Sequence, residues 1–320
     1  MIILTIVRHG ESTDNLKAVW AGSADAPLSS HGMNQAKAVG ASFSDYRIDA
    51  MFASNLLRAA WTAQQIHKHQ SPPPPPLTYS PLFQEQNFGR AERQPFAANK
   101  GMPGFHREPG RSFKFEQGES LDDVRARAEK AIAQYIEPIL QSARGKSAEE
   151  APKVFVVAHG IFNSELLGAF IARRPPSGSQ VAWRGSGMTN TGWTRVEIGY
   201  HDEFPAGQQD GEEAVGTGEA KPTTDAAEVD ATGHSTTQPT AVPAQPPNLS
   251  RTTTNTSTRS AASTMSVSRE KKPLPHLRVN VLTMNVSTHL DGIKRQKGGI
   301  GSAAHDDKQK DIRSFFAGGG

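Results

Sequence analysis

The amino-acid sequence predicts an α/β protein with an open, mostly parallel sheet. Two short runs, 2–7 and 154–158, are apolar and rich in β-branched residues, as buried strands are. Apolar residues at helical spacing follow each run, after a loop in the first case (28–43) and directly in the second (161–172). Buried strands that alternate with helices are typical of a sheet covered by helices.

The composition limits the size and the class of the protein. Only 36% of the 320 residues are hydrophobic, and 29 are glycine and 22 proline, so we expect part of the chain to lie outside a folded core. The net charge of +3 is too small to indicate nucleic-acid binding by itself. Cysteine is absent, which excludes disulfides and thiolate metal sites. No apolar run has the length of a membrane span or a secretory signal, so we expect a soluble intracellular protein.

The first strand delivers Arg8, His9 and Gly10 to its carboxyl end. Ligands of open α/β sheets bind outside the carboxyl ends of the strands. Arginine presents a planar fork of donors that matches phosphate oxygens, and a neutral histidine is nucleophilic through one ring nitrogen. An exposed Arg-His pair without a function would look the same in isolation. The prediction of an anion site therefore depends on the rest of the chain.

The second strand, 48–53, leads into a helix that carries another candidate residue. Ser54 or Asn55 can cap this helix, which places Arg58 in its first turn. Arg58 would then lie near the positive end of the helix and the carboxyl edge of the strand. A solvated arginine on the helix surface is the alternative.

The middle of the chain is expected to hold a weak strand and a long helix. The prolines at 72–76 form a stiff connector before the strand at 77–82. The helix begins at a capping pair, Ser120 with Asp123, and Pro138 bends or ends it. Between these elements, 96–117 either selects substrate above the site or is an ordinary loop whose aromatic residues pack underneath.

The strand at 154–158 delivers His159 in the same strand-then-turn context as His9. A further strand is expected at 195–198. Residues 201–275 contain few large apolar side chains and are expected to be disordered, because they cannot offset the entropy of ordering. The chain then alternates like a strand again at 277–286.

Taken together, these motifs resemble the histidine phosphatase superfamily, whose members are phosphoglycerate mutase-like proteins. The residues that carry the resemblance are Arg8, His9, Gly10, Glu11, Ser12, Asn15, Ser54, Leu56, Arg58, Ala59, Thr62, Ala63, His159, Asn285, His289 and Leu290. The resemblance implies a three-layer α/β/α fold with a mostly parallel central sheet. It also implies that the disordered stretch is an insertion before the last strand.

The resemblance assigns a role to each candidate residue. His9 would be the catalytic nucleophile that is phosphorylated during turnover, and Arg8, Asn15, Arg58 and His159 would bind the substrate phosphate. His159 would also be a catalytic residue, as either a cationic or a neutral hydrogen-bond donor to the phosphate. A glutamate three residues before an aromatic-Gly pair is the proton donor in the family, which selects Glu85, with Glu92 as the alternative. The family implies no metal and no cofactor.

Three functions remain open at this point. The first is a metal-independent phosphatase that hydrolyses phosphate monoesters of small molecules or phosphoproteins. The second is a phosphoglycerate mutase-type phosphotransferase, although the residues after Glu85 do not resemble the mutase segment well. The third is a non-catalytic adaptor that binds a phosphorylated ligand, although an adaptor needs neither a nucleophile nor an acid.

The expected domain organisation has three parts. A histidine phosphatase domain covers 1–200 and is completed by the final strand at 276–292, the disordered insertion covers 201–275, and a flexible tail covers 293–320. The tail contains Gln-x-x-aliphatic-x-x-aromatic-aromatic over 309–316, which resembles the PIP box that binds the sliding clamp PCNA.

The residues of this tail motif have a clear physical logic. One helical turn places Ile312 beside Phe315 on one face, Phe316 completes an apolar plug, and Gln309 supplies the polar end of the pattern. The alternative is an apolar helix that packs back on its own domain. Clamp binding implies a protein of the nucleus as well as the cytoplasm, with no direct contact to nucleic acid and no membrane partner.

Overall fold

A computed structural model describes residues 1–97, 99–176, 187–203 and 274–306. The strands and helices are, in chain order, β1 (Ile2–Arg8), α1 (Ser30–Ser42), β2 (Ala50–Ser54), α2 (Leu57–Lys68), β3 (Leu77–Ser80), α3 (Leu121–Ala131), α4 (Glu137–Ser142), β4 (Lys153–Ala158), α5 (Gly160–Ile171), β5 (Trp193–Tyr200) and β6 (Leu277–Val286). Short 3₁₀ turns lie at Pro81–Phe83, Gly89–Ala91, His201–Glu203, Thr288–Leu290 and Ile300–Ser302, and a π-helical turn lies at Ile132–Ile136.

The six strands form one sheet in the order β3-β2-β4-β1-β5-β6. The pairs β2–β3, β2–β4 and β1–β4 are parallel, whereas β5 runs antiparallel to both of its neighbours. Five strands therefore point in one direction, and the prediction of a mostly parallel sheet is confirmed. In the register of β1 and β4, Arg8 lies opposite Ala158, so the residues that follow these two strands emerge side by side.

Helices cover both faces of the sheet. Alternate residues of β4 point in opposite directions: Val154 and Val156 join a core with α3, α4 and α5, whereas Phe155 and Val157 join a core with α1 and α2. This alternation explains why the strand is apolar along its whole length. The three-layer α/β/α prediction is confirmed.

Helix α3 begins at the predicted cap, but helix α2 does not. Ser120 and Asp123 form a reciprocal capping box. Helix α2 begins at Leu57, and the prediction that Ser54 or Asn55 caps it is wrong. Instead, the Leu57 N–H donates to Asp25 Oδ1 at 2.8 Å, from a loop far away in sequence.

Pro138 does not end the long helix. A π-helical turn at Ile132–Ile136 precedes Pro138, and the helical path then continues as α4. Because proline lacks an N–H and its ring crowds the preceding turn, the wider turn accommodates it. The predicted bend therefore takes the form of an inserted π turn.

The chain after β6 returns to the first helix. Ser30 N–H donates to Ala303 O and His305 N–H donates to Leu28 O, both at 2.9 Å. The expectation of a flexible tail from residue 293 is thus corrected for 293–306, which lies against the start of α1. Backbone hydrogen bonds hold this segment, and they require no apolar pattern that could be recognised in the sequence.

Two predicted regions fall largely outside the described residues. They are the insertion at 201–275, of which 201–203 and 274–275 are described, and the motif at 309–316. The described part at 201–203 forms a helical turn directly after β5. Among the described residues, no helix is long and apolar enough to cross a membrane.

Candidate active site

The ends of β1 and β4 bring two buried histidines together. His9 and His159 follow the paired positions Arg8 and Ala158, and their ring centroids are 5.0 Å apart. The two residues are 3% and 0% exposed. The strand-then-turn pattern predicted both residues at the sheet edge, and the parallel pairing of β1 with β4 places them side by side.

The hydrogen bonds of His9 fix its tautomer. Nδ1 lies 2.6 Å from the carbonyl oxygen of Gly10, which can only accept, so Nδ1 carries the proton. Arg58 Nε–H donates to His9 Nε2 at 3.3 Å, which places the ring's lone pair on Nε2. Burial first, and then the charges of Arg58 and Arg8, lower the pKa of His9 well below its ordinary value. His9 is therefore a neutral imidazole, and the lone pair on its Nε2 accepts the long hydrogen bond from Arg58.

Arg58 is held rigidly beside this nitrogen. Its side chain is 2% exposed, and its terminal nitrogens donate to Ala24 O at 2.8 Å and to Gly22 O at 2.7 Å. Burial lowers the pKa of Arg58, while Glu85 opposes that shift. The loop between β1 and α1 thus fixes the guanidinium of Arg58 before any ligand arrives.

Arg8 and His159 keep polar atoms free in the same place. Arg8 donates through one terminal nitrogen to the carbonyl of Met188, while its Nε is buried without a hydrogen-bond partner among the described residues. Both ring nitrogens of His159 are also buried without a hydrogen-bond partner among the described residues. Buried polar groups normally have partners, so this grouping is what donors for an anionic ligand would show.

His159 is a neutral donor in this arrangement. Burial is the main cause that lowers its pKa well below the ordinary value, and the nearby charge of Arg58 adds to the effect. An anion bound between these groups would raise the pKa again, because opposite charge favours the protonated form. Of the two protonation states considered for His159, the neutral one applies to the ligand-free protein.

Glu85 enters the same site from another loop. Its carboxylate accepts hydrogen bonds from the N–H groups of Ile161 and Phe162, both at 3.0 Å, and of Gln86 at 2.9 Å. The first two belong to the amino end of α5, where helix N–H groups favour an anion. Because His159 directly precedes that helix, Glu85 and His159 lie at the same end of β4.

Gly160 leaves open the space between these groups. A side-chain carbon at this position would lie 3.7 Å from Arg8 Nε and 3.9 Å from Glu85 Oε2. The glycine that follows His159 therefore gives Arg8 and Glu85 a common, unobstructed volume.

Glu92, the alternative acid, is engaged elsewhere. Its Oε1 accepts hydrogen bonds from the backbone and hydroxyl of Ser23, both at 2.7 Å, and from Phe88 N–H at 3.1 Å. These bonds tie two loops together. The geometry therefore favours Glu85 over Glu92 as the proton donor.

Asn15 lies at the exposed rim. Its Oδ1 accepts from the backbone and the hydroxyl of Ser12, both at 3.0 Å. Asn190 connects this rim to His9, because its amide donates to His9 O at 3.1 Å and to Asn15 Oδ1 at 3.5 Å. The sequence analysis assigned no role to Asn190, whose position in an irregular loop carries no motif.

Thr62 is a second residue whose role the sequence analysis missed. Its hydroxyl oxygen accepts from Gly10 N–H at 3.0 Å and its hydroxyl donates to Arg58 O at 2.8 Å. A spacing of four residues places Thr62 on the same helix face as Arg58, which is a signal that could have identified it.

The last strand supports the loop behind His9. Asn285 Oδ1 accepts from Thr189 N–H at 2.9 Å, and His289 Nε2 lies 3.0 Å from Thr191 Oγ1. Thr191 in turn donates its N–H to His9 O at 3.2 Å, with a φ of 58° that is rare for a β-branched residue. The segment from β6 thus holds a strained residue against the backbone of His9.

The aromatic residues of the 96–117 stretch pack against Trp20 and against one another, but none of them is fully buried. Trp20 contacts the rings of Phe96 and Phe115 at centroid distances of 4.7 and 5.2 Å, and that of Phe88 at 4.9 Å. This packing agrees only in part with the second of the two interpretations left open by the sequence, because Phe115 packs on Trp20 while Phe96 is 49% exposed. Within the described ranges, no group of three or more His, Cys, Asp or Glu side chains is arranged to hold a metal ion.

Comparison with known proteins identifies the family. The sequence matches the histidine phosphatase superfamily (branch 1) over residues 4–205, which is more than half of the chain. The protein belongs to this superfamily.

Three curated relatives illustrate the range of the family. Fructose-2,6-bisphosphatase TIGAR of Xenopus tropicalis is 33% identical over 170 residues, which cover 52% of this chain and 61% of that protein. A protein named as a probable phosphatase of Schizosaccharomyces pombe is 33% identical over 178 residues, covering 55% and 59%. A 2,3-bisphosphoglycerate-dependent phosphoglycerate mutase of Chlamydia trachomatis is 31% identical over 189 residues, covering 50% and 80%. This chain thus spans about three fifths of the length of the first two.

Proposed function

We propose that the protein is a phosphatase that hydrolyses phosphate monoesters through a phosphohistidine intermediate on His9. The observation that carries the proposal is the neutral imidazole of His9, whose Nε2 lone pair lies beside the buried guanidinium of Arg58. A nucleophile that must attack an anion needs an unprotonated nitrogen and nearby positive charge, and the long hydrogen bond from Arg58 to this nitrogen would break as His9 attacks.

Binding would use the fixed cations and donors of the site. A phosphate monoester carries about two negative charges near neutral pH. Arg8, Arg58 and His159 would donate hydrogen bonds to its oxygens, with Asn15 at the rim. Because Arg58 is already fixed by backbone carbonyls, little reorganisation accompanies binding.

Two displacements would complete the reaction. His9 Nε2 attacks phosphorus while the ester oxygen leaves, and Glu85 delivers the proton which that oxygen needs. Water then attacks the phosphohistidine, and Glu85 takes up the proton released by that water. The products are the alcohol and inorganic phosphate, and His9 returns to its neutral form.

The first experiment is hydrolysis of an activated aryl phosphate by the full chain in the presence of a chelator. Wild type is expected to release phosphate and to form an acid-labile phosphoenzyme, and His9→Ala is expected to do neither. His67→Ala is a matched control, because His67 lies at the far end of α2 with its ring near Pro75 O. Wild-type rates in His9→Ala would remove the nucleophile assignment, and no turnover in any variant would favour the adaptor function.

A second experiment tests the acid. Glu85→Gln is expected to slow esters with poor leaving groups by about 10²-fold or more, because general acid catalysis typically contributes that much. Activated esters, whose oxygen leaves without a proton, should lose far less. An equal loss on both classes would transfer the assignment to Glu92.

A mutase-type phosphotransferase is the second candidate, and the Chlamydia relative is the observation that favours it. Product analysis separates the two functions. Inorganic phosphate as the main product supports the phosphatase, whereas transfer from a bisphosphate to a phosphoglycerate acceptor supports the mutase. We propose phosphorylated small molecules as the substrate class, and a matched set of phosphopeptides would test the alternative of a phosphoprotein.

We also propose that the tail binds the PCNA sliding clamp and that the protein occurs in the nucleus and the cytoplasm. The pattern of Gln309, Ile312, Phe315 and Phe316 supports this proposal, although these residues lie outside the described part of the structure. Calorimetry with purified PCNA tests it. Replacing Phe315 and Phe316 by Ala should eliminate binding and reduce nuclear retention, and an unchanged affinity would reject the motif.

A further inference from the structure

Besides Arg8 and Arg58, a third arginine, Arg127, bonds to the backbone of the proposed acid Glu85. Arg127 lies on α3 with a side chain that is 15% exposed. Its guanidinium donates to three successive parts of the neighbouring loop: Leu82 O at 3.2 Å, Gln84 O at 2.6 Å and Glu85 O at 3.1 Å. One side chain thus fixes the backbone that carries Glu85.

Glu119 completes this support from the other side. Arg127 donates to both of its carboxylate oxygens, at 2.9 and 2.8 Å. Glu119 Oε2 also accepts from Asn87 N–H at 2.9 Å, and its own N–H donates to Asn87 O at 2.7 Å. The residues on both sides of Glu85 are therefore connected to one ion pair.

The same arginine also contacts the partner of the Glu85 carboxylate. The guanidinium of Arg127 lies 5.4 Å from the ring centroid of Phe162, whose backbone N–H donates to Glu85 Oε1. Arg127 therefore lies next to both the loop that presents the carboxylate and the helix turn that receives it.

We propose that Arg127, together with Glu119, is a positioning residue that sets the place of the Glu85 carboxylate in the site. This inference rests on the proposed function, because it presupposes that Glu85 is the proton donor. The loop from Gln84 to Asn87 lies between two short turns and belongs to no strand or helix. It is held by bonds to neighbouring elements, among them those that involve Arg127 and Glu119. Arginine suits this task because its five donors have a fixed planar geometry.

The rival explanation is that Arg127 only stabilises the fold. Removing one partner of a buried ion pair destabilises a protein wherever the pair lies. A loss of stability or of overall activity therefore cannot distinguish the two explanations. Sensitivity to the leaving group can, because only a displaced acid makes the reaction depend more strongly on the basicity of the leaving oxygen.

The experiment measures kcat/KM of the full chain for an alkyl phosphate and for an activated aryl phosphate. The variants are Arg127→Ala, Arg127→Lys and Glu85→Gln, with Arg125→Ala as the matched control. Arg125 lies on the same helix and forms a similar ion pair, at 2.8 Å, with Glu165 of α5 instead of with Glu119. Thermal unfolding is recorded for each variant.

Arg127→Ala is expected to lower the alkyl rate by about 10- to 100-fold and the aryl rate by about threefold or less, since a shift of about 1 Å in a catalytic group can cost 10²-fold. Arg127→Lys keeps the charge but loses the planar set of donors. Its kcat/KM should fall less than that of Arg127→Ala, and again more for the alkyl than for the aryl ester. Combining Arg127→Ala with Glu85→Gln should add little further dependence on the leaving group. Arg125→Ala should lower both rates equally or leave them unchanged.

Each outcome has one meaning. Suppose that Glu85→Gln loses more kcat/KM on the alkyl ester than on the aryl ester, while Arg127→Ala and Arg127→Lys lose equally on both, as Arg125→Ala does. The positioning role is then overturned and the proposed function stands. If wild type shows no turnover, or Glu85→Gln shows no dependence on the leaving group, the proposed acid and this inference are both overturned.

Discussion

Thr62 offers a substitution whose cost can be worked out from individual atoms. Its side chain is 0% exposed, and its hydroxyl oxygen accepts the N–H of Gly10 at 3.0 Å. Valine has nearly the same shape, so Thr62→Val leaves the packing intact and removes this acceptor. The buried N–H of Gly10 is then unpaired, which costs about 1–3 kcal/mol of unfolding free energy.

The same change should also lower activity. The carbonyl of Gly10 accepts the proton of His9 Nδ1 at 2.6 Å, so a shift of Gly10 turns the nucleophile's ring. We expect kcat to fall by about tenfold or more, because small misplacements of reacting groups are costly. Denaturant unfolding and steady-state kinetics on an aryl phosphate measure the two effects.

Thr78→Val is the matched control, because Thr78 is exposed on strand β3. Its unfolding free energy should change by no more than about 0.5 kcal/mol. If Thr62→Val were as stable and as active as this control, the bond between Thr62 and Gly10 would not hold the nucleophile's loop, and the reasoning would be refuted.

Three other predictions concern separate parts of the molecule. Gly160→Ala places a methyl group within 4 Å of an arginine and a carboxylate of the site, so kcat/KM should fall by about tenfold without loss of stability; unchanged kinetics would contradict the site volume. Burial lowers the pKa of His289 from 6.5 to about 4. The unfolded state therefore binds more protons between these values, and stability should fall as pH drops from about 6.5 towards 4. His289→Asn should weaken this dependence in denaturant titrations, and an identical pH profile would argue against it. Arg295→Ala removes an ion pair to a carboxylate near the nucleophile and should speed hydrogen exchange in the segment after β6. Lys294→Ala should not, and equal exchange in both variants would show that the pair does not hold the segment.

Local patterns were enough to predict the central part of this protein. The apolar runs predicted the strands because burial on both faces requires apolar residues at every position. The ends of those strands predicted the sheet edge at which Arg8, His9 and His159 meet. The spacing around Arg58 placed it in the first turn of a helix, and the structure places it 3.3 Å from the nucleophile's ring nitrogen.

Three of the wrong or missing predictions share one physical cause. The cap of α2 comes from Asp25, the support of His9 from Asn190, and the support of the Glu85 loop from Arg127. In each case a side chain meets a backbone N–H or C=O that is distant in sequence. Every residue except proline offers both backbone groups, so the sequence does not distinguish the one that is used.

The sequence by itself determined the fold class and the chemical groups of the site, because burial and motif spacing are written in consecutive residues. Only the tertiary structure decided how those groups are held: the tautomer of His9, the engagement of Glu92 with Ser23, and the return of 293–306 to α1. These features depend on distances of about 3 Å between atoms far apart in the chain, and such distances are fixed only when all the layers pack together.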